Sequence, residues 1–261
     1  MVEALHAKGW TRFPAEASVR DWAGAALPVA RARVRDPDER AKWLTCEGTW
    51  FVGVDALPND ASGDFGAGPL TGAALAAARA LYGALPLHRG QVSVTWPGYP
   101  RPREGEGPAA FRYRLKRDAA HVDGLLAVGD DRRRMLKEPH AYILGLPLTE
   151  CDAGASPLCV WEGSHHVMRA AFEKALADKP HNRWAETDLT EIYQAARREV
   201  FATCRRVTLP AKPGEATLVH RLALHGVAPW QAGAAAPADG RMIVYFRPEL
   251  PGGPRDWLSL R

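Results

Sequence analysis

The pattern of apolar and polar positions changes near residue 90. Before that point, residues 18–25 predict a short helix, residues 72–85 are rich in alanine and leucine and predict a second helix, and residues 50–54 predict a short strand. After it, short apolar or alternating runs follow one another and are separated by glycine and proline. This second pattern is typical of a series of short strands joined by turns.

The strands predicted in the second part cover residues 91–96, 110–116, 140–148, 157–161, 205–209, 216–224 and 241–246. Alternation is cleanest in residues 110–116, where Phe111, Tyr113 and Leu115 share one face and basic residues share the other. Two helices interrupt the series at about residues 166–176 and 189–202, the second with Asp188 as its N-cap. The pattern favours a barrel or sandwich over alternating strands and helices.

The chain length is compatible with one domain that has helical additions. We expect 261 residues to form a single domain, 1–261, that buries a sizeable core. Residues 1–90 would form a helical or mixed N-terminal support, and residues 91–250 a β core with a helical insertion near 165–203. The expected class is mainly β with added helices.

Composition and charge exclude several classes of protein. Hydrophobic residues make up 46% of the chain and charged residues 25%, which excludes a disordered or collagen-like chain, and the net charge of +4 is mild. No apolar run reaches membrane length, no signal peptide is recognisable, and no nucleotide or nucleic-acid motif is present. The four cysteines form no CxxC pair. We therefore expect a reduced, cytoplasmic protein without a membrane or nucleic-acid partner.

Three residues could form a metal centre. His121 and Asp123 are two positions apart, so an extended chain presents both to the same side. A later run supplies a third nitrogen ligand, either His220 or His225, and strand alternation does not decide between them. Two histidines and one carboxylate are the facial triad of non-haem Fe(II) oxygenases, which leaves positions for a bidentate cosubstrate and O₂.

A single arginine indicates that the site also binds a cosubstrate. Arg241 opens the predicted strand 241–246, shortly after both candidate histidines. A guanidinium buried beside the iron could grip the far carboxylate of 2-oxoglutarate in a two-point fork, while the keto acid end chelates the metal.

The motifs taken together resemble a known family. The runs His121-Val122-Asp123-Gly124, Trp161-Glu162-Gly163-Ser164-His165 and Leu224-His225-Gly226, followed by Arg241, are similar to the phytanoyl-CoA dioxygenase family of Fe(II)/2-oxoglutarate oxygenases. The resemblance spans roughly residues 110–248. It implies a double-stranded β-helix, or jelly roll, in which His121, Asp123 and His225 bind iron and Arg241 binds 2-oxoglutarate. The chain departs from some related oxygenases at Ile243, where they have a serine two residues after the arginine.

The resemblance also bears on the reaction and the substrate. Asp123 is retained where related halogenases have a small residue, so hydroxylation or another oxidation of a small molecule is favoured over halogenation. Tyr113 and Trp161 either line the substrate chamber or belong to the core. The basic run Arg132-Arg133-Arg134 either attracts an anionic substrate or is a solvated face. Arg247 shares strand parity with Arg241, but Pro248 follows it and favours a surface position.

Two other classes of function remain open from the sequence. One is a cupin-type metal enzyme that uses no 2-oxoglutarate, in which Arg241 would be a structural ion-pair partner. The other is a non-catalytic jelly-roll binding protein that retains only the fold.

Overall fold

The computed structural model of the chain describes residues 2–260. Its helices are α1 (Val2–Lys8), α2 (Ala17–Arg35), α3 (Pro37–Trp43), α4 (Ala73–Tyr82), α5 (Pro108–Lys116), α6 (Ser164–Leu176), α7 (Thr190–Thr203) and α8 (Gly253–Ser259). Its strands are β1 (Trp10–Phe13), β2 (Leu44–Thr45), β3 (Trp50–Phe51), β4 (Gln91–Thr95), β5 (Leu125–Val128), β6 (Arg133–Leu136), β7 (Tyr142–Pro147), β8 (Leu158–Trp161), β9 (Arg206–Leu209), β10 (Ala216–His220), β11 (His225–Val227) and β12 (Arg241–Phe246). A 3₁₀ helix, His181–Glu186, lies between α6 and α7.

The strands form one large and one small antiparallel sheet. The seven-stranded sheet has the order β1-β10-β7-β12-β4-β3-β2, and the three-stranded sheet has the order β11-β8-β9. Strands β5 and β6 form a separate hairpin. Apart from the local hairpin of β2 and β3, neighbours in both main sheets are far apart in sequence, as expected for strands that cross repeatedly between two layers.

The two sheets enclose a shared apolar layer. Side chains from both contribute to it, namely Ile143, Leu158, Val160, Leu209, Val219, Ile243 and Tyr245. Strand alternation places the other side chains of β12 on the opposite, outer face of the large sheet. Two facing sheets that pack their inner faces together form a jelly roll, which is open at its ends rather than closed into a barrel.

Helices from the N-terminal part cover the outer face of the large sheet. Trp22 of α2 meets Phe246 of β12 edge-on, with ring centroids 5.9 Å apart. Tyr82 of α4 stacks on Tyr142 of β7, with centroids 5.6 Å apart. These aromatic contacts help to bury the outer face of the large sheet.

The prediction of a strand over residues 110–116 is wrong, because this segment is helix α5. Pro108 occupies the first turn, where its fixed φ and missing N–H favour a helix start. The apparent apolar face is not buried, since Leu115 is 39% exposed. The residue that the helix does bury is Arg114, whose Nη2 lies 2.5 Å from Glu106 Oε1. A buried ion pair, and not an apolar stripe, fixes the orientation of this helix.

Two other predicted elements have different bounds. Helix α2 runs through Pro28 as far as Arg35, because Ala26, Ala30 and Val34 continue its buried face beyond the proline. The strand predicted over 216–224 divides after His220, where a turn carries the chain from the large sheet to the small one.

Helix α7 begins at Thr190, and its N-cap position is Leu189 rather than the predicted Asp188. Asp188 is the residue before the N-cap, and its carboxylate still accepts a hydrogen bond from the Thr190 backbone N–H at 2.9 Å. None of the helices within residues 2–260 is long and apolar enough to cross a membrane.

Candidate metal centre

The structure brings His121, Asp123 and His225 to one point. One ligand atom from each side chain lies within 4.8 Å of the other two. The two histidines are joined by their backbones, since His121 N donates to His225 O at 2.8 Å and His225 N donates to His121 O at 3.0 Å. This short antiparallel bridge connects the loop that follows α5 to strand β11. The imidazole rings consequently face each other with centroids 4.6 Å apart.

Gly226 allows this bridge to form. A Cβ at this position would lie 2.2 Å from the backbone oxygen of Asp118, which is far inside contact distance. Val227 N donates to the same oxygen at 3.0 Å, so the two chain segments are directly hydrogen-bonded beside the histidines. The glycine that follows His225 is therefore required by the close approach of two backbones.

Backbone carbonyls orient both imidazoles. His121 Nδ1 lies 3.1 Å from Ala119 O, and His225 Nδ1 lies 2.9 Å from Ala223 O. Because a carbonyl oxygen only accepts hydrogen bonds, each ring carries a hydrogen on Nδ1. The Nε2 atoms point towards Asp123 Oδ1, at 3.2 Å from His121 and 3.7 Å from His225. This is the arrangement in which histidines present a lone pair to a metal.

The two oxygens of the Asp123 carboxylate face different partners. Its Oδ1 faces the two imidazoles, and its Oδ2 lies 3.4 Å from Arg247 Nη1. Burial raises the pKa of this carboxyl, the nearby Arg247 guanidinium lowers it, and the net pKa is well below the usual value. Asp123 is therefore an anion at neutral pH, with one oxygen held by Arg247 and the other directed at the histidines.

His225 is neutral under the same conditions. Burial lowers its pKa to about 4, although the Asp123 charge acts in the opposite direction. A neutral imidazole lone pair and a carboxylate oxygen that face each other repel unless a cation lies between them. Two nitrogen ligands and one oxygen ligand fit Fe(II) and leave coordination positions for other ligands.

His220, the alternative third ligand, lies elsewhere. It ends β10 and is buried beside His165, with ring centroids 4.8 Å apart. Its Nδ1 accepts a hydrogen bond from Leu222 N at 3.0 Å, within the turn that leads to β11. The structure thus brings His225, and not His220, to His121 and Asp123.

Arg241 lies on the inner face of the large sheet, as do Ile243 and Tyr245. It is only 6% exposed, and its Nη2 lies 3.5 Å from the Tyr245 hydroxyl. Its Nη1 is buried without a hydrogen-bond partner in the described part of the chain. No carboxylate among residues 2–260 forms an ion pair with it. A buried guanidinium without a counter-charge is costly, so this side chain fits an anionic ligand.

Two cavities meet at the candidate metal centre. An inner cavity of about 220 Å³ is bordered by all three ligand residues and by side chains of both sheets, including Gln91, Ser93, Ile143, Leu158, Tyr245 and Arg247. An outer cavity of about 520 Å³ is bordered by His121 and Asp123 on one side and by residues of α5, α7 and β6 on the other. The first could take a small cosubstrate and the second a larger molecule.

Tyr113 borders the outer cavity from helix α5. Its hydroxyl donates to Ala120 O at 3.0 Å and accepts from Arg197 Nη1 at 3.0 Å. It therefore ties α5 to the residue just before His121. Trp161, by contrast, borders neither cavity; it is 3% exposed and packs edge-on against Phe201, with centroids 5.3 Å apart.

Two arginines of the basic run 132–134 lie in different surroundings on strand β6. Arg133 points outward and pairs with Asp188 at 3.1 Å, whereas Arg134 borders the outer cavity. Arg197 of α7 borders the same cavity, and its guanidinium lies 5.0 Å from the Tyr113 ring centre and 4.7 Å from that of Tyr193. The part of the cavity wall formed by β6 and α7 therefore carries cationic and aromatic side chains.

Some residues of this site were not predicted from the sequence. Arg247 lies beside Asp123 and not at the surface. In the sequence, its strand parity with Arg241 was the signal that could have indicated a position on the inner face. Tyr193, whose hydroxyl accepts from Val122 N at 3.0 Å, supports the loop between His121 and Asp123 from helix α7. No local pattern marks Tyr193 or Arg197, because the sequence does not reveal that α7 packs beside this loop.

Comparison with known proteins supports the fold. No family profile matches the sequence, and no curated protein matches it significantly. Among solved structures, the chain is similar to AviO1 from Streptomyces viridochromogenes Tue57, with a TM-score of 0.54, 15% identity, and coverage of 97% of this chain and 94% of that one. It is also similar to SnoK, a non-heme alpha ketoglutarate dependent carbocyclase from nogalamycin biosynthesis, with a TM-score of 0.50, 14% identity, and coverage of 99% and 90%.

These likenesses extend over nearly the whole of each chain, although few residues are identical. They agree with the two facing antiparallel sheets and the helices that cover the larger one. The prediction of a mainly β chain with added helices and a double-stranded β-helix core is therefore confirmed.

Proposed function

We propose that this chain is an Fe(II)- and 2-oxoglutarate-dependent dioxygenase that oxidises a small molecule. His121, Asp123 and His225 would hold the iron, and Arg241 would hold the far carboxylate of 2-oxoglutarate. The observation that carries the proposal is the presence of two unsatisfied features in the same jelly roll. One is a cluster of metal-ligand atoms around Asp123 Oδ1, and the other is a buried guanidinium without a counter-charge.

The fold gives independent support. SnoK, which has a similar overall structure, is described as alpha ketoglutarate dependent and non-heme. A shared fold at 14% identity does not carry a reaction across, so the proposal depends on the residues of this chain. The order of His121, Asp123, His225 and Arg241 further supports membership of the phytanoyl-CoA dioxygenase family.

The chemistry supplied by bound iron, 2-oxoglutarate and O₂ would be oxidation of a substrate coupled to release of succinate and CO₂. Residues of the chain would provide the ligand geometry for it. The carbonyls of Ala119 and Ala223 fix each imidazole so that Nε2 is the ligand atom. Arg247 holds Asp123 Oδ2, which leaves Oδ1 as a single oxygen ligand. A retained carboxylate at Asp123 favours hydroxylation or a related oxidation over halogenation.

The cupin-type alternative fits the structure less well. It requires Arg241 to be a structural ion-pair partner, and no such ion pair is formed within residues 2–260. A non-catalytic binding protein would explain neither the cluster of side chains around Asp123 nor the unpaired guanidinium of Arg241.

For the substrate, we infer an anionic small molecule held in the outer cavity. Arg134 and Arg197 border this cavity, and neither forms an ion pair with a carboxylate of the described chain. Both guanidiniums lie close enough to Tyr113 and Tyr193 to lower the pKa of these phenols, although burial has the larger and opposite effect. A charged group placed between the two arginines would direct the rest of the molecule towards the metal centre.

The cysteines support a reducing, cytoplasmic setting. All four are free thiols, and Cys46 and Cys159 are buried. Burial is the main cause of the raised pKa values of the Cys151 and Cys159 thiols, so both are protonated at neutral pH and poor nucleophiles.

The proposed activity is tested by measuring succinate in a reaction with the purified chain, Fe(II), ascorbate, 2-oxoglutarate and air. We expect succinate release that stops without iron or O₂. Anionic candidate substrates are then screened for acceleration, which Arg134→Gln and Arg197→Gln should reduce. Tight binding of Fe(II) without binding of 2-oxoglutarate would instead favour the cupin-type enzyme.

A further inference from the structure

The inner face of the large sheet carries a second unsatisfied polar atom beside Arg241. Thr95 is fully buried, and its Oγ1 has no hydrogen-bond partner in the described chain. A buried hydroxyl without a partner costs free energy, as does the unpartnered Nη1 of Arg241. Two such atoms next to each other need an explanation.

Strand register places these two side chains side by side. Thr95 of β4 is directly opposite Arg241 of β12, and it is also directly opposite Trp50 of β3. Residues directly opposite in antiparallel strands point to the same face, with Cβ atoms about 5 Å apart. Trp50 and Ser93 border the inner cavity, so this face is the one that looks into the jelly roll.

Thr95 and Arg241 do not satisfy each other. No hydrogen bond joins them, and both groups have a hydrogen to donate. An acceptor placed between them would satisfy both at once. A carboxylate is such an acceptor, because each of its oxygens has two lone pairs.

We propose that Thr95 donates its hydroxyl hydrogen to the far carboxylate of 2-oxoglutarate, together with Arg241. The inference rests on the proposed function and assigns one further residue to it. Ile243 cannot donate a hydrogen bond from the position where some related oxygenases have a serine. Thr95 supplies the hydroxyl from the neighbouring strand, so the two-point recognition of the carboxylate is retained. Thr95 is thereby a specificity residue that favours dicarboxylates over 2-oxo acids that lack the second carboxylate.

The test is isothermal titration calorimetry under anaerobic conditions with the Fe(II)-loaded chain and two ligands. 2-Oxoglutarate has the far carboxylate, and oxalate chelates metal without having one. Thr95→Val removes the hydroxyl at nearly constant volume, and we expect it to weaken 2-oxoglutarate about tenfold, as for loss of one hydrogen bond to a charged group. Oxalate affinity should change less than twofold. Thr95→Ser should restore 2-oxoglutarate affinity to within about threefold of the original chain.

A matched control is Thr11→Val, which makes the same chemical change at a buried threonine of β1 that lies opposite Leu218 on the outer face of the large sheet. It should leave both affinities unchanged. Thr95→Ala, for which the same loss is expected, serves if the valine variant does not fold.

The possible outcomes separate the two proposals. Unchanged 2-oxoglutarate affinity in both Thr95→Val and Thr95→Ala would overturn the role of Thr95 and leave the proposed function intact. Equal weakening of oxalate would also overturn it, because the substitution would then act on the metal centre. If the original chain binds Fe(II) and oxalate but not 2-oxoglutarate, the proposed function fails, and the role of Thr95 fails with it.

Discussion

At the scale of single residues, the candidate metal centre depends on which nitrogen of each imidazole carries the hydrogen. Ala119 O and Ala223 O accept from the Nδ1 atoms, which leaves both Nε2 lone pairs directed at Asp123 Oδ1. Burial keeps His225 neutral by lowering its pKa to about 4. Asp123 and His225 are thus in the protonation states that bind a metal at neutral pH.

Replacement of Arg241 by methionine should weaken 2-oxoglutarate binding. The substitution keeps much of the side-chain volume and removes the buried positive charge of the guanidinium. We expect a loss of about 2–3 kcal/mol, or roughly 30- to 150-fold in Kd, measured by calorimetry with Fe(II) present. Arg255→Met, at an exposed position of α8, is the control and should have no effect. Retention of full affinity by Arg241→Met would refute the assignment of this arginine.

The convergence of His121 and Asp123 was predictable from the sequence because its signal is local. His121 and Asp123 are two positions apart, and this spacing alone indicates convergence. Thr95, Arg247 and Arg197 were not predictable, because their roles depend on strand register and on how α7 packs. Tyr113 was predicted on a strand face, and it borders the outer cavity from a helix instead.

At the scale of elements, the backbone bridge between strand β11 and the loop after α5 sets the geometry of the centre. Gly226→Ala would place a Cβ 2.2 Å from Asp118 O and force these segments apart. We expect loss of high-affinity metal binding together with lower stability, measured by Fe(II) or Co(II) titration and by thermal unfolding.

Gly24→Ala provides the matched control for this change. Gly24 is inside helix α2, and a Cβ there would meet no atom within 4 Å. Alanine should stabilise the helix by roughly 0.5–1 kcal/mol and leave metal binding unchanged. Normal metal affinity in Gly226→Ala would contradict the importance of the bridge.

Helices and strands were predicted well where burial and sequence pattern agree. They were predicted poorly where a polar contact determines the type or orientation of the element. Strand β12 has the predicted bounds, because its apolar run is buried on both faces. Helix α5 was predicted as a strand, because its alternation of apolar and basic residues outweighed the signal of Pro108. The turn after His220 was missed, because the apolar run continues through the change of sheet.

At the scale of the whole molecule, a second cluster of histidines should make stability depend on pH. Burial lowers the pKa of His165 to about 4 and also lowers that of His220. His165 Nε2 lies 2.9 Å from His6 O, so Nδ1, which is buried without a partner in the described chain, would have to accept the added proton. The folded protein therefore resists protonation that the unfolded chain accepts.

The sign of the effect follows from proton binding. Between pH 6.5 and about 4, the unfolded chain holds more protons on His165 than the folded one. The free energy of unfolding of the metal-free protein should thus fall as pH is lowered through this window, as measured by urea unfolding. His165→Gln should flatten the profile, whereas His181→Gln, at an exposed position, should not. An unchanged slope in His165→Gln would contradict this explanation.

Anaerobic addition of Fe(II) and 2-oxoglutarate, followed by visible absorption, probes the metal and cosubstrate sites together. We expect a weak charge-transfer band that requires both additions. The band should disappear in Asp123→Ala and persist in Asp131→Ala, whose carboxylate is 78% exposed and far from any proposed role. Failure to form the band when Fe(II) is demonstrably bound, or its persistence in Asp123→Ala, would contradict the proposed metal and cosubstrate site.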